Sequence, residues 1–201
     1  MKNPIKLIAG LGNPGSGYES TRHNAGADFV RMVAAQHQVT LQKESKFFGV
    51  TGIASISERA VRLLIPATFM NHSGQSIAAL AGFYKILPSE IMIVHDELDL
   101  LPGTARFKLG GGHGGHNGLR DSIRCLGNSR DFARLRIGIG HPGNAKLVTD
   151  YVLKRAPHEE HDRLLESAAK SLHWLPSAVS GDWEKAMTGL HSDLEHNHLG
   201  H

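Results

Sequence analysis

The segment Ile5-Lys-Leu-Ile-Ala-Gly-Leu11 is an almost continuous apolar run that closes on a glycine and a leucine. Such a run is typical of a strand that is buried on both faces. Ile91-Met-Ile-Val-His95 has the same character. Further strand-like runs occupy 47–56, 61–65, 105–109 and 133–139, and apolar residues recur at helical spacing over 25–37, 73–84, 157–175 and 182–188. Because strands and helices alternate, the sequence predicts a single three-layer α/β domain: a mixed, mostly parallel twisted sheet with helices on both faces.

The length of 201 residues suits one domain, which we place at residues 1–190. Residues 191–201 form a polar tail that we expect to be disordered. No apolar run reaches the ~20 residues of a membrane span, and the first residues lack a signal-peptide cleavage site. The single cysteine, Cys125, excludes an internal disulfide and a CxxC zinc site. These features predict a cytoplasmic protein that does not bind membranes.

Basic charge is concentrated between Thr104 and Lys146. That stretch holds eight Lys/Arg and two Asp, a net charge of +6, whereas the whole chain carries only +3. Cations near phosphate groups displace condensed counterions, so this segregation favours a polyanionic partner such as nucleic acid. An ordinary solvated surface is the alternative interpretation.

The run from Lys108 to Gly118 holds six glycines in eleven residues, together with two histidines and an asparagine. Glycine at this density is used where backbone must approach a ligand closely. A flexible linker is the alternative, but linkers of this kind favour serine over paired histidines. A helix is expected to follow, with Asn117 as its N-cap and apolar residues at helical spacing: Leu119, Ile123 and Leu126.

The dinucleotide-binding pattern G-x-G-x-x-G is met literally by Gly10-Leu-Gly-Asn-Pro-Gly15 after the first strand. That fingerprint also needs a helix that starts within the glycines and an acidic residue about twenty positions further on. Residues 30–36 contain no carboxylate. The sequence therefore argues against a nicotinamide cofactor.

Polar residues follow three of the predicted strands: the segment 13–23, Asn71 and Asp96. In open α/β sheets, ligands bind outside the carboxyl ends of the strands, so these groups are expected to share one crevice, closed by the glycine run. Imidazole, carboxylate and amide groups together suit hydrolysis by an activated water molecule. On the residues alone, His23 and His116 are equal candidates for the base.

Each of these groups also has a plain structural interpretation. Asn13 and Asn71 can be a turn residue and a helix cap, and Asp96 can be a solvated turn residue or a metal ligand. His113 and His116 can bind metal, although two histidines without a paired carboxylate or cysteine are a weak zinc pattern. The histidines that the sequence leaves undecided are His72 and His95.

The chain resembles the bacterial peptidyl-tRNA hydrolase family in six motifs, which occur in the family's order and cover nearly its whole length. The motifs are Gly10-Leu-Gly-Asn-Pro-Gly15, Thr21-Arg-His-Asn-Ala-Gly26, Pro66-Ala-Thr-Phe-Met-Asn71, His95-Asp-Glu-Leu-Asp-Leu100, the glycine run 110–118 and Arg134-Leu-Arg-Ile-Gly-Ile-Gly-His-Pro-Gly143. The resemblance implies a monomeric cytoplasmic esterase that uses histidine-activated water to release a peptide, or an N-blocked amino acid, from the terminal ribose of tRNA. This activity recycles tRNA from peptidyl-tRNA released in aborted translation. The resemblance also implies no metal, no cofactor and no obligate protein partner.

The resemblance further implies roles for individual residues. His23 matches the catalytic base, Asp96 its orienting partner, and Asn13 the residue that distinguishes N-blocked from free aminoacyl-tRNA. The family's substrate-contacting positions are matched by Tyr18, Phe69, Asn71 and Asn117. Other positions that line the site are matched by Met70 and His116. The basic stretch that the family uses for tRNA phosphates is matched by Arg106, Lys108 and Arg136.

Two other classes of protein compete with this interpretation. An RNA-binding module that has lost hydrolysis is one rival, but mere binding does not require a base and its orienting partner. A metal-dependent peptidase that uses His113, His116 and Asp96 is the other, and it predicts that a chelator abolishes activity.

Overall fold

A seven-stranded mixed sheet forms the centre of the protein in the computed structural model, which describes residues 3–195. The strands are β1 (Leu7–Gly10), β2 (Gln42–Glu44), β3 (Gly49–Ile56), β4 (Arg59–Pro66), β5 (Ile91–Glu97), β6 (Ala105–Leu109) and β7 (Ala133–Gly138). Their order across the sheet is β2-β3-β4-β1-β5-β7-β6. The four neighbouring strands β4, β1, β5 and β7 run parallel to one another. At the two edges of the sheet, β2, β3 and β6 pair antiparallel with their neighbours. The predicted mixed sheet with a parallel centre is confirmed.

Helices cover both faces of this sheet. They are α1 (Ala25–Gln36), α2 (Ser73–Phe83), α3 (Asn117–Cys125), α4 (Val148–Val152), α5 (His158–Val179) and α6 (Trp183–Glu195). One face packs against α1, α5 and α6 in a core that includes Phe29 and Leu135. The other packs against α2 and α3 in a core that includes Ile77 and Ile93. None of the helices described between residues 3 and 195 is long and apolar enough to cross a membrane.

The two apolar runs form β1 and β5 at the centre of the sheet. Their side chains alternate between the two cores: Leu7 and Ile93 belong to one, Ile8 and Met92 to the other, and all are fully buried. Each fully buried aliphatic side chain contributes roughly 1.5–3 kcal/mol of stability. Because neither face of these strands is solvated, both runs are almost entirely apolar.

The structure departs from the sequence prediction in two short elements and at the C-terminal ends of α5 and α6. β2 is the polar sequence Gln-Lys-Glu and α4 has five residues, so neither carries an apolar periodicity that predicts it. α5 runs beyond its predicted end at residue 175, through Pro176, to Val179. Ala178 and Val179 are fully buried there, and this packing outweighs the helix-breaking tendency of proline.

The C-terminal helix is longer than the predicted segment 182–188. α6 ends at Glu195, so the first part of the predicted tail 191–201 is helical. Trp183, Ala186 and Leu190 bury the inner face of α6 in the core and thereby anchor the helix. The rest of the tail, residues 196–201, lies outside the described residues.

Gly26, in the first turn of α1, allows this helix to approach the sheet very closely. A Cβ atom at this position would lie 2.1 Å from the carbonyl oxygen of Val94 and 2.8 Å from the backbone nitrogen of Leu11. Real Cβ atoms do not come that close to backbone atoms, so only glycine fits. The contact holds the segment before α1, which contains His23, against the end of β5.

Gly26→Ala is expected to lower the free energy of unfolding by about 1–3 kcal/mol, because the added methyl group pushes α1 away from β5. Gly82→Ala is the matched control: Gly82 lies on the exposed side of α2, and an added Cβ would meet no atom within 4 Å. There alanine is expected to raise stability by up to about 1 kcal/mol through its helix propensity. Thermal unfolding measures both effects, and equal melting temperatures for the two variants contradict this account.

Candidate active site

A crevice of about 490 Å³ opens at the carboxyl ends of β1, β4 and β5. The glycine loop, defined as residues 110–118, closes one side, and α4 forms another. The predicted site residues that line the crevice are Asn13, His23, Phe69, Met70, Asn71, Asp96, Lys108, His116, Asn117 and Arg136. Two predicted site residues are not in the lining: Tyr18 and Arg106. The fold therefore gathers groups that are far apart in the sequence.

Asp96 binds two imidazole rings in the crevice. Its Oδ2 lies 2.9 Å from Nδ1 of His23, and its Oδ1 lies 2.8 Å from Nε2 of His116. The residue is buried. Burial would raise the pKa of Asp96, but the two imidazoles outweigh burial and hold that pKa well below its ordinary range. Asp96 is therefore a buried anion at neutral pH.

His116 is held in one tautomer by the start of α3. Its Nδ1 accepts hydrogen bonds from the backbone N–H groups of Gly118 and Leu119, at 3.1 and 3.3 Å. Nδ1 therefore carries no proton, and Nε2 carries the proton that is donated to Asp96. The prediction of Asn117 as the N-cap is wrong, because the ring nitrogen of His116 makes the capping bonds and Asn117 is the first helical residue.

His23 has a ring nitrogen that remains available for chemistry. Its Nδ1 faces Asp96, and its Nε2 has no hydrogen-bond partner within residues 3–195. Burial would lower the pKa of His23, but the charge and the hydrogen bond of Asp96 outweigh burial and raise it. An imidazole that donates through Nδ1 to a carboxylate presents a basic Nε2 to water. This geometry separates the two histidines that the sequence leaves equal.

The side-chain amide of Asn13 is oriented by the backbone of Met70. Asn13 Oδ1 accepts the Met70 N–H at 2.7 Å, so the amide nitrogen points away from Met70. Asn24 fixes the backbone at Asn13 with two hydrogen bonds of 2.8 and 3.0 Å. In the described part of the chain, no acceptor engages Asn13 Nδ2, and the residue lines the crevice. The arrangement offers an amide donor to a ligand.

Phe69 lies at the crevice with 56% of its surface exposed. The ring of Tyr18 is edge-on to it, with ring centroids 6.3 Å apart. Tyr18 thus contacts the crevice residue Phe69 and does not line the crevice itself. Exposed aromatic rings of this kind can stack on nucleic-acid bases or pack on apolar groups.

Four cations share one face of the sheet edge formed by β6 and β7. Directly opposite residues of an antiparallel pair lie on the same face, and Arg106 pairs with Arg136 while Lys108 pairs with Arg134. Lys108, Arg134 and Arg136 line the crevice. Glu97 compensates part of this charge, because its Oε2 accepts a hydrogen bond from Arg136 Nε at 2.8 Å. The part of the basic stretch that lies on β6 and β7 therefore borders the crevice.

Arg134, which lies in the basic stretch and begins one of the family motifs but is given no role of its own by the sequence, anchors the glycine loop. Its guanidinium is buried and donates to the carbonyl oxygens of Gly111 and Gly112. Burial and the nearby Arg136 lower the pKa of Arg134 to about 10, so it remains a cation at neutral pH. These two bonds restrain a loop whose glycines permit many backbone conformations.

Two further features of the crevice also lack a sequence signal. The apolar wall, defined as Val148, Thr149, Val152 and Leu153, belongs to α4 and the residue after it. His95 is buried, donates through Nδ1 to the backbone carbonyl of Asp96 at 2.7 Å, and has a pKa lowered to about 3 by burial. A five-residue helix is too short to show periodicity, and a histidine that ends an apolar strand resembles a core residue.

His23, Asp96 and His116 also form a group that could hold a metal ion, since their ligand atoms lie within 4.8 Å of one another. The same atoms make the hydrogen bonds described above, so a cation would have to displace two donated protons. His113 lies outside this group, and its Nδ1 accepts the Gly115 N–H at 3.0 Å. In the metal-dependent alternative, the ligands would therefore be His23, Asp96 and His116, and not the predicted His113.

The chain is similar over nearly its whole length to known proteins. The family described as "Peptidyl-tRNA hydrolase" matches residues 7–197. The peptidyl-tRNA hydrolase of Teredinibacter turnerae is 58% identical over 193 residues, which cover 96% of this chain and 100% of that protein. The enzyme of the same name from Pseudomonas fluorescens SBW25 is 57% identical over 188 residues, 94% of this chain and 97% of that one. The solved structure of peptidyl-tRNA hydrolase from Acinetobacter baumannii superposes with a TM-score of 0.90 at 47% identity, and the match covers 93% of this chain and 94% of that one.

Proposed function

Because this chain belongs to the peptidyl-tRNA hydrolase family, we propose that it hydrolyses the ester between a peptide, or an N-blocked amino acid, and the terminal ribose of tRNA, with His23 as general base. Hydrolysis of peptidyl-tRNA is the activity of this family, and the chain is a hydrolase. The observation that carries the choice of base is the shared carboxylate. Asp96 engages one nitrogen of each ring, and only His23 keeps a second nitrogen for water, since α3 occupies that of His116.

In the proposed reaction, Nε2 of His23 removes a proton from water as the water oxygen attacks the ester carbonyl carbon. Asp96 stabilises the imidazolium and holds the ring in one orientation. The imidazolium returns its proton to the ribose oxygen as the ester C–O bond breaks, which yields the peptide acid and free tRNA. The side-chain amides of Asn71 and Asn117 line the crevice and supply hydrogen-bond donors for the developing oxyanion.

The remaining site residues divide by their chemistry. In this proposal, Asn13 donates to the carbonyl of a blocked amino group, which a free ammonium lacks. Substrate contacts of apolar and aromatic character come from Tyr18, Phe69 and Met70. His116 lines the site and holds Asp96. The tRNA phosphates are bound by Arg106, Lys108 and Arg136.

We also propose that the enzyme acts in the cytoplasm as a monomer, without a metal, a cofactor or an obligate protein partner. The single cysteine suits a reducing compartment, and burial raises the pKa of Cys125, which disfavours its reactive thiolate. The catalytic domain in this proposal spans residues 1–190. In the same proposal, residues 191–201 are a C-terminal tail outside the catalytic domain, and α6 extends into its first part, to Glu195.

His23→Ala is expected to lower kcat by about 10²–10⁴-fold while tRNA binding persists, because only the proton acceptor is lost. His158→Ala is the matched control, since the His158 side chain is 90% exposed and pairs only with Asp162 in the described part of the chain. Release of peptide from N-acetylaminoacyl-tRNA measures the rates. Near-normal turnover of His23→Ala contradicts the assignment of the base, and loss of wild-type activity in chelator, restored by Zn²⁺, favours the metal-dependent alternative.

The pH profile tests the partnership of His23 with Asp96. His23 must be neutral to accept a proton, so kcat/KM rises with pH through a pKa that Asp96 holds above the ordinary ~6.5. Asp96→Asn removes that charge and leaves burial, which lowers the pKa of His23. The acidic limb is therefore expected to move to lower pH while the rate falls by about 10²–10⁴-fold. An unmoved limb with full activity contradicts the partnership.

Substitutions at Asn13 test selectivity for blocked amino groups. Asn13→Asp keeps an acceptor for the Met70 N–H but replaces the free amide donor with a carboxylate oxygen. This variant is expected to lose activity on N-acetylaminoacyl-tRNA and to gain relative activity on free aminoacyl-tRNA, whose ammonium it attracts. Asn13→Ala is expected to reduce the difference in activity between N-acetylaminoacyl-tRNA and free aminoacyl-tRNA, without the gain in relative activity on the free substrate. Equal losses on both substrates in both variants show that Asn13 does not read the amino group.

Removal of the basic residues Arg106, Lys108 and Arg136 tests the phosphate contacts. The triple alanine variant is expected to have a higher KM for full-length peptidyl-tRNA. The slope of the logarithm of the tRNA-binding constant against the logarithm of the salt concentration is expected to fall in magnitude by roughly 0.7–0.9 for each lost contact. A peptide ester of a short nucleotide is expected to react almost normally, since it lacks the distant phosphates. Lys43→Ala, on β2 at the opposite sheet edge, is the control. Equal losses on long and minimal substrates contradict a phosphate-binding role.

A further inference from the structure

We propose that Arg22 is a positioning residue that holds α4 in place, so that the apolar wall of the crevice can bind apolar side chains of the peptide. Arg22 would act without touching the substrate. This inference rests on the proposed function, because it assigns the peptide, rather than the tRNA, to the wall formed by α4.

The guanidinium of Arg22 is bound to the C-terminal end of α4. Its Nη1 donates to the carbonyl oxygen of Tyr151 at 3.1 Å and lies 3.5 Å from those of Lys154 and Arg155. Its Cζ stacks 4.0 Å above the centre of the Tyr151 ring. The last carbonyls of a helix have no partner within the helix, and five residues are too few for a helix that is stable alone. α4 therefore depends on contacts of this kind.

Glu160, in the first turn of α5, fixes the same guanidinium from another side. Nε donates to Oε1 at 2.6 Å, and Nη2 donates to Oε2 at 2.8 Å. This two-point geometry uses the planar fork of arginine, which lysine cannot reproduce. The Arg22 side chain is only 7% exposed, so solvent competes little for these bonds. α5 thus provides a rigid support to which Arg22 ties α4.

The opposite side of α4 forms the apolar wall. Val148, Thr149, Val152 and Leu153 line the crevice. Tyr151 instead packs its ring against the Arg22 guanidinium and donates its hydroxyl to the carbonyl of Ile139, just after β7, at 2.6 Å. α4 is consequently a thin partition with the Arg22 brace on one side and the crevice on the other. Three of the four wall residues are aliphatic, and aliphatic surface favours the apolar side chains of a peptide over ribose or phosphate.

Arg22 also precedes His23 within the 3-10 turn Arg22–Asn24, which raises a competing role. The bonds of Arg22 could orient His23 instead of α4. The two roles differ in what they change. A displaced wall weakens the binding of apolar peptides and frees the backbone of α4. A displaced His23 lowers kcat for every substrate and shifts the acidic limb of the pH profile.

The test compares Arg22→Lys and Glu160→Gln with the wild type. Arg31→Lys is the matched control, because it makes the same replacement in an exposed pair with Asp28 on α1. The substrates are one tRNA that carries either an N-acetylated leucine tripeptide or an N-acetylated glycine tripeptide. For Arg22→Lys, we expect KM for the leucine peptide to rise about 10-fold, KM for the glycine peptide to stay within about 2-fold, and kcat to change little. Amide hydrogen exchange over residues 148–155 is expected to become faster, whereas Arg31→Lys leaves all these values unchanged.

Other outcomes overturn the proposal. A fall in kcat on both peptides, together with a shifted acidic limb of the pH profile, would show that Arg22 orients His23. Unchanged KM values and unchanged hydrogen exchange would show that Arg22 has no role at α4. If Arg22→Lys fails to fold because Glu160 is left unpaired, Arg22→Met combined with Glu160→Gln removes both charges and must give the same KM pattern. If the wild type hydrolyses neither substrate, the proposed function fails. Hydrogen exchange of α4 still reports on the brace in that case, because it needs no activity.

Discussion

A single buried carboxylate, that of Asp96, joins three elements that are distant in the sequence. It accepts one hydrogen bond from His23, in the turn before α1, and another from His116, at the start of α3, and the backbone carbonyl of Asp96 accepts a third from His95. A buried charge is costly unless such donors surround it. The site therefore exists only where the sheet order brings the loop after β1 and the start of α3 to the end of β5. The packing that defines the fold here therefore also assembles the active site.

The charges around the crevice are separated in space. The anion Asp96 lies within it and is enclosed by imidazoles, while the cations Lys108, Arg134 and Arg136 stand on the adjoining edge of the sheet. A ligand with a neutral ester at one end and phosphates at the other can meet both regions in only one direction, since phosphates near Asp96 are repelled. Substrate orientation in the proposed reaction follows from this separation.

The sequence predicts the elements with strong apolar patterns and the edge of the sheet where polar groups meet. β1 and β5 are apolar runs in the sequence. Asn13 and Asn71 follow strands, and Asp96, which the sequence places after a strand ending at His95, lies at the carboxyl end of β5 itself. The choice between His23 and His116 is different in kind, because it depends on which ring nitrogen the start of α3 occupies. That fact is a tertiary contact, and no spacing in the chain encodes it.

The same limit applies to the two arginines that shape the crevice. Arg22 and Arg134 act through bonds to backbone carbonyl oxygens of other segments. Carbonyl oxygens are present at every residue, so the partner leaves no trace in the side-chain pattern. These arginines hold α4 and the glycine loop through such bonds, and Val152 of α4 also packs into the core. A five-residue helix is too short to show a periodicity, so α4 was not predictable from the sequence.

The position of the basic residues has a consequence for the protein's solubility. β6 and β2 are the outermost strands of the sheet, and each has one side that pairs with no described strand. Open strand edges can template intermolecular pairing and aggregation, and lysine on the edge strand opposes it by charge repulsion between copies. Lys108 on β6 and Lys43 on β2 stand at these two edges, and both are exposed. Lys108, which borders the crevice, thus also opposes edge-to-edge pairing of β6 with the sheet of another molecule.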